Sequence, residues 1–243
     1  MRKMKKFMLT SIVGLTIFVL SGCLYPAERM SQNQVPYKDQ VASVQTAVDQ
    51  FKQESGGLLP IKTKDMDTPI YQKYPIDFTK IVPRYMQDAP GNSYESGGIF
   101  AYVLVDAETK PTVKLLDLRM ADTIQDVNVH LNIYRQNHKG YVPFKDVIAP
   151  GVFSINYKKL NMKEPPVVTS PYTGNSLSLI VNGQGDVFVD YRPDLYDAIQ
   201  KHKSSYKPGE DIRNLLVENS DFVPAYSLPY TVNDKNEPIF LKK

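Results

Sequence analysis

Apolar residues recur with helical spacing twice in this chain, the second stretch 83 residues after the first. Val41, Val44, Val48 and Phe51 step by three, four and three, and Ile124, Val127, Leu131 and Tyr134 repeat those steps. Such spacing places each set on one helical face. The register extends past both helices: Asp39 and Asp122 stand at the expected N-caps, Gly57 and Gly140 follow the last turns, and Pro60 and Pro143 come three residues later. Asp at a helix start and Gly at its exit are boundary signals with a mechanism, since the carboxylate accepts from free N–H groups and Gly tolerates a left-handed exit. Further on, Ile76–Ile81 resembles Ile155–Leu160 at an offset of 79.

Period-two patterns follow each helix. Ile99–Val105 and Thr112–Leu118 are predicted to pair across the turn Asp106–Pro111, and Leu177–Val181 and Val187–Tyr191 across Asn182-Gly183-Gln184-Gly185, a turn rich in residues that accept positive φ. A short helix is expected from Arg192 to about His202, with Asp194 capping it, and another near Asp211–Glu218. Phe222–Tyr226 echoes Ile81–Tyr85 as a degenerate third copy. The predicted fold class is α+β: a tandem duplicated unit of one helix followed by an antiparallel β-hairpin, over 38–120 and 121–191, with a helical C-terminal extension over 192–243. One helix and one hairpin cannot cover both their apolar faces, so the copies are expected to share a core or to pack face to face.

A different pattern occupies the start. Arg2, Lys3, Lys5 and Lys6 precede the apolar run Phe7–Leu20, which is 14 residues long. A basic start and a short apolar centre define a signal peptide, and a membrane-spanning helix needs about 20 residues. The run ends in Leu20-Ser21-Gly22-Cys23, which resembles the lipobox of bacterial lipoproteins. That resemblance implies cleavage after Gly22, a diacylglycerol on the Cys23 thiol, and a tether over 23–37. Two acyl chains anchor a protein stably where one holds only marginally. The leader and length also resemble a lipoprotein family of Bacillus, which implies a Gram-positive cell and the outer face of the cytoplasmic membrane; no activity comes with that likeness. The order of helix, Pro-Gly-Asn loop and hairpin is similar to the globular part of type II secretion pseudopilins. Those proteins run their leader straight into the helix, so only the architecture carries over.

Removing the leader changes the charge. It holds four of the 29 Lys and Arg residues and none of the 26 Asp and Glu, so the remainder carries one more acidic than basic group. No basic run remains to suggest nucleic acid as a partner. Cys23 is the only cysteine, and the exported part must hold together without disulfides.

Candidate chemistry is sparse. His130, His138 and His202 lack the spacing of a helical metal site, and no nucleophile elbow or phosphate loop occurs. No catalytic residue, cofactor or metal is therefore assigned. The densest polar run holds Asp186, Asp190, Arg192 and Asp194. Asp186, Asp190 and Arg192 fall on one strand face by the period-two rule, and such a face suits a hard cation, an anionic ligand, or simply a local Asp–Arg pair. Tyr is abundant at 16 residues against no Trp; such rings either form a binding surface or fasten loops by bonding their hydroxyls to backbone. Three functions remain open: an envelope accessory or interaction lipoprotein, which the sequence favours, a solute-binding lipoprotein of a transporter, and a carboxylate-dependent surface hydrolase. The expected partners are the membrane, through lipid on Cys23, and an envelope protein.

Overall fold

A computed structural model of the protein describes residues 37–241; Cys23, the leader and most of the tether lie outside them. The class is α+β, with antiparallel sheets throughout. Helix α1 (Tyr37–Glu54) buries Val41, Val44, Ala47 and Val48 along one stripe. It lies on the hairpin of β1 (Phe100–Val105) and β2 (Thr112–Asp117), which pair in antiparallel register from Phe100 opposite Asp117 to Val105 opposite Thr112. Helix α2 (Arg119–Asn137) follows β2 at once and buries Met120, Ile124, Val127 and Leu131.

The second sheet is larger than a hairpin. It holds β3 (Phe144–Ala149), β4 (Val152–Ile155), β5 (Val167–Thr169), β6 (Ser176–Asn182) and β7 (Val187–Val189). Strand β6 is central: β7 lies on one side, and β5 and β4 pair with its two ends. The additional strands β3–β5 give no alternating signal, because Phe144, Lys145, Asp146 and Val147 of β3 are all exposed and β5 has only three residues. The C-terminal part is likewise not purely helical. After α3 (Arg192–His202) and α4 (Asn214–Glu218) comes a hairpin of β8 (Tyr230–Val232) and β9 (Pro238–Phe240).

The helix starts differ from expectation. Asp39 and Asp122 lie in the first turns of α1 and α2, where a carboxylate meets the positive end of the helix dipole. The residue preceding α2 is Leu118, which makes no side-chain cap. At the exits, Gly57 and Gly140 adopt φ of +99° and +83°, and their N–H groups close onto Lys52 O and Arg135 O. Gly56 and Lys139 before them are left-handed too, at φ of +73° and +55°, so both copies share a two-residue left-handed exit. The paired segments after each helix also close alike, with Ile81 N–H donating to Phe78 O and Leu160 N–H to Tyr157 O.

The two halves do not share one core. Helix α1 and one face of β1–β2 (Phe100, Tyr102, Leu104, Val113, Leu115) form the first. Helices α2–α4 with the second sheet and β8 form another. Between them, the opposite hairpin face, Val103, Val105 and Leu116, meets Val217, Val223 and Ala225. Residues 221–227 are the seam: Leu115 N–H donates to Asp221 O, Val223 N–H to Leu115 O, and Val189 N–H to Tyr226 O. A strand-like segment from the C-terminal part thus extends the first hairpin and reaches the second sheet.

Candidate functional site

Three Asp-x-Arg triplets mark the points where chain enters a helix. Asp117 precedes α2, Asp190 precedes α3 and Asp211 precedes α4. In each, the Arg backbone N–H donates to Asp Oδ1 at 3.0, 3.1 and 3.1 Å, and the Arg Nε donates to the same oxygen at 2.9, 2.9 and 3.0 Å. The second guanidinium nitrogen reaches Oδ2, giving a two-pronged contact. One carboxylate therefore satisfies a free helix-start N–H and neutralises a guanidinium together. Asp117 and Asp190 are buried. Arg192 also lies 4.7 Å from the Phe240 ring centre, and Arg213 5.2 Å from that of Tyr71.

Of the residues singled out in the sequence, Asp190 and Arg192 are thus brought together. Asp186 is not part of that pair: it is exposed in the β6–β7 turn, where its Oδ2 accepts from Asn182 Nδ2 at 2.8 Å and its N–H donates to Asn182 Oδ1. Asp194 does not cap α3. The preceding residue is Tyr191, without a side-chain cap, and the Asp194 carboxylate turns instead toward the loop after β5. Both its oxygens accept from Ser170 Oγ at 2.9 Å, and Oδ1 accepts from Thr173 Oγ1 at 2.9 Å. Ser170 Oγ in turn accepts from the Tyr172 and Thr173 N–H groups.

That buried carboxylate stands at a cleft of about 590 Å³ between the halves. Tyr37 and Lys38 come from α1, Lys114 from β2, Pro171–Thr173 from the loop, Asp197 and Lys201 from α3, and Leu215, Glu218 and Asp221 from the C-terminal segment. On α3 the spacing 194, 197, 198, 201 is one helical face. Burial pulls the Lys114 ammonium below the ordinary lysine value, against the carboxylates of Asp221, Asp106 and Glu218, and its Nζ donates to Ser220 O at 2.6 Å. A second cleft of similar volume is lined by Tyr71, Tyr74, Asp106, Glu108 and the Arg213 side; burial there pushes the Tyr71 phenol up to about 12.

Burial also raises the Asp194 carboxyl, while the hydroxyls of Thr173 and Ser170 oppose the rise. A group raised by folding stabilises the fold fully below its unfolded value, near 3.9, and loses that contribution as pH rises through its folded value. Replacing Asp194 by Asn is expected to remove this decline from a urea-derived stability profile. Asp194→Ala strands two hydroxyl donors and is expected to cost about 2–3 kcal/mol at neutral pH, read as a lower urea midpoint at unchanged slope.

No histidine bonds to Ser170: His138 stacks on Tyr134 at 3.8 Å, His130 lies 3.9 Å from Asp126, and His202 ends α3 at the cleft margin. Among the described residues no three His, Cys, Asp or Glu side chains are grouped to hold a metal, and no helix is long and apolar enough to cross a membrane. The buried tyrosines serve as fasteners: Tyr230 OH donates to Val189 O, and Tyr191 OH to Ala225 O.

With that geometry in hand, residues 37–117 match the family model described as the YphF family N-terminal domain. That stretch, which includes α1 and the β1–β2 hairpin, is similar to the YphF N-terminal domain family. YphF is also the family that the leader and overall length resemble. No curated protein and no solved structure matches the chain.

Proposed function

We propose that this protein is a lipid-anchored, extracytoplasmic accessory module that holds a partner in the cleft between its halves. The observation that carries this reading is the cleft itself, built from both halves and reached by Tyr37 and Lys38 at the start of α1. Thirteen residues lie between Cys23 and Tyr37, a span of at most about 50 Å when fully extended. An anchor at Cys23 would keep the cleft within that distance of the membrane. The volume falls in the range of sites that accept small ligands or side-chain anchors. Antiparallel sheets in both halves favour this reading over a transporter's solute-binding protein, for which two parallel α/β lobes are expected. Asp194 is the buried carboxylate of the cleft, and hydroxyl donors occupy both its oxygens, which favours this reading over a hydrolase in which that group acts in a carboxylate pair.

Two measurements test the proposal. Cys23→Ala is expected to move the protein from the membrane fraction to the medium; retention in membranes would refute lipid anchoring. A photo-crosslinking residue at Asp197 or Lys201 is expected to capture a defined adduct in intact cells, and one at the exposed Tyr94, outside the cleft, none. Equal capture from both positions, or none from the cleft, would refute the cleft as the working face.

A further inference from the structure

Among the described residues, no ion pair forms between the charged side chains that line the cleft. Lys38 and Lys201 make no ion pair or side-chain hydrogen bond within the described residues, and neither do Asp197 and Asp221. Lys114 and Glu218 meet neutral partners, Ser220 O and Asn214 Nδ2, while the Asp221 and Glu218 carboxylates act on Lys114 only through their fields, and Asp194 is held by the hydroxyls of Ser170 and Thr173. The lysines Lys38, Lys114 and Lys201 and the carboxylates of Asp197, Glu218 and Asp221 thus face one cavity without an ion pair among them, although Asp197 and Lys201 stand four apart on α3, the spacing at which helix ion pairs form.

Each simple ligand class meets an obstacle there. A polyanion is repelled by Asp197 and Asp221, and a polycation by Lys38 and Lys201. A neutral glycan would leave these charges partly desolvated without a counter-charge, which is unfavourable. The apolar part of the lining, Tyr37 with Phe222 and Leu215 with Leu216, gives a surface on which a short chain can lie. Resting on the proposed cleft function, we propose that the occupant is a peptide segment carrying several charges of both signs rather than a lipid headgroup with one of each. Backbone amides supply the uncharged polar groups, and side chains and termini supply the ions. Charge complementarity of this kind selects partners more than it adds affinity.

The test uses the full chain in detergent micelles and the tetrapeptide Ala-Glu-Lys-Ala with free termini, followed by titration calorimetry. Saturable 1:1 binding is expected, weakened at least tenfold for the end-blocked peptide Ala-Gln-Gln-Ala. Lys38→Glu with Lys201→Glu, and separately Asp197→Lys with Asp221→Lys, should each weaken binding at least tenfold. Unchanged thermal unfolding would show that the variants are folded. Raising salt to 0.5 M should weaken binding further, because exposed charges are screened. Equal binding of both peptides, no saturable binding, or competition by phosphatidylethanolamine vesicles but not by the tetrapeptide would each overturn the inference. If the cleft cross-link forms in cells while the tetrapeptide fails, only the charge class falls; if neither occurs, the cleft reading falls with it.

Discussion

Tyr230→Ala is expected to destabilise the fold by about 4–5 kcal/mol, the upper end for deleting a buried aromatic ring. The ring is wholly inside, in the core that joins α2, α3 and the second sheet. Its hydroxyl has a separate task. It donates to Val189 O at 3.0 Å and accepts the Tyr191 N–H at 3.0 Å, so it clasps the backbone on both sides of Asp190 where β7 turns into α3. Neither backbone group has water to turn to, and a buried N–H or C=O left unpaired costs about 1–3 kcal/mol. Tyr230→Phe, which keeps the ring, is therefore expected to cost about 2 kcal/mol. Urea titration separates the two: both midpoints fall, the slope is unchanged, and Phe recovers roughly half the loss. A neutral Tyr230→Phe would show that the clasp contributes nothing. Burial, with Asp190 nearby, raises this phenol well above its ordinary value. Its stabilising contribution is complete below the unfolded value near 10 and is lost as pH climbs beyond it, so the wild type is expected to weaken in alkali more than Tyr230→Phe.

Helices α1 and α2 and both hairpins could be read from the sequence because each has a period and a punctuated end. Val41 and Ile124 begin apolar stripes, and Asn182–Gly185 is a turn with few alternatives. Strands β3–β5 could not, since an edge strand exposing Phe144, Lys145, Asp146 and Val147 has no buried face to impose alternation. Strand β8 is short and buried at all three residues, which carries no period either. The Asp-x-Arg device was visible three times, at Asp117, Asp190 and Asp211, each just before a helical pattern; only the Asp190 copy drew attention, because other acids crowd it. The cleft was out of reach altogether. Its walls come from residues near 38, 114, 172, 197 and 221, and local pattern does not say which distant segments meet. Asp194 shows the same limit: its position after Pro193 suggests a cap, yet its partners are Ser170 and Thr173, more than 20 residues earlier.

Phe222→Ala is expected to cost about 3–5 kcal/mol and to weaken one half more than the other. Phe222 is buried in the core of α1 and the β1–β2 hairpin, with its ring 5.2 Å from that of Tyr37 and 5.6 Å from that of Phe100. Its neighbours in sequence hold it there, since Asp221 O and Val223 N–H bond the backbone of Leu115. The stretch matching the YphF N-terminal domain ends at 117, so its core is completed by a residue over 100 positions further along. Amide exchange in Phe222→Ala should therefore rise over Val41–Val48 and the β1–β2 hairpin, while α2 between Ile124 and Leu131 stays protected, because that helix is buried in the other core. Phe222→Leu, which keeps an apolar side chain of similar volume, should lose less than about 1.5 kcal/mol. Uniform loss of protection across both halves would mean that the seam couples them into one cooperative unit. Unchanged exchange in α1 would mean that the first core stands without the C-terminal segment, and that Phe222 is only the wall of the cleft.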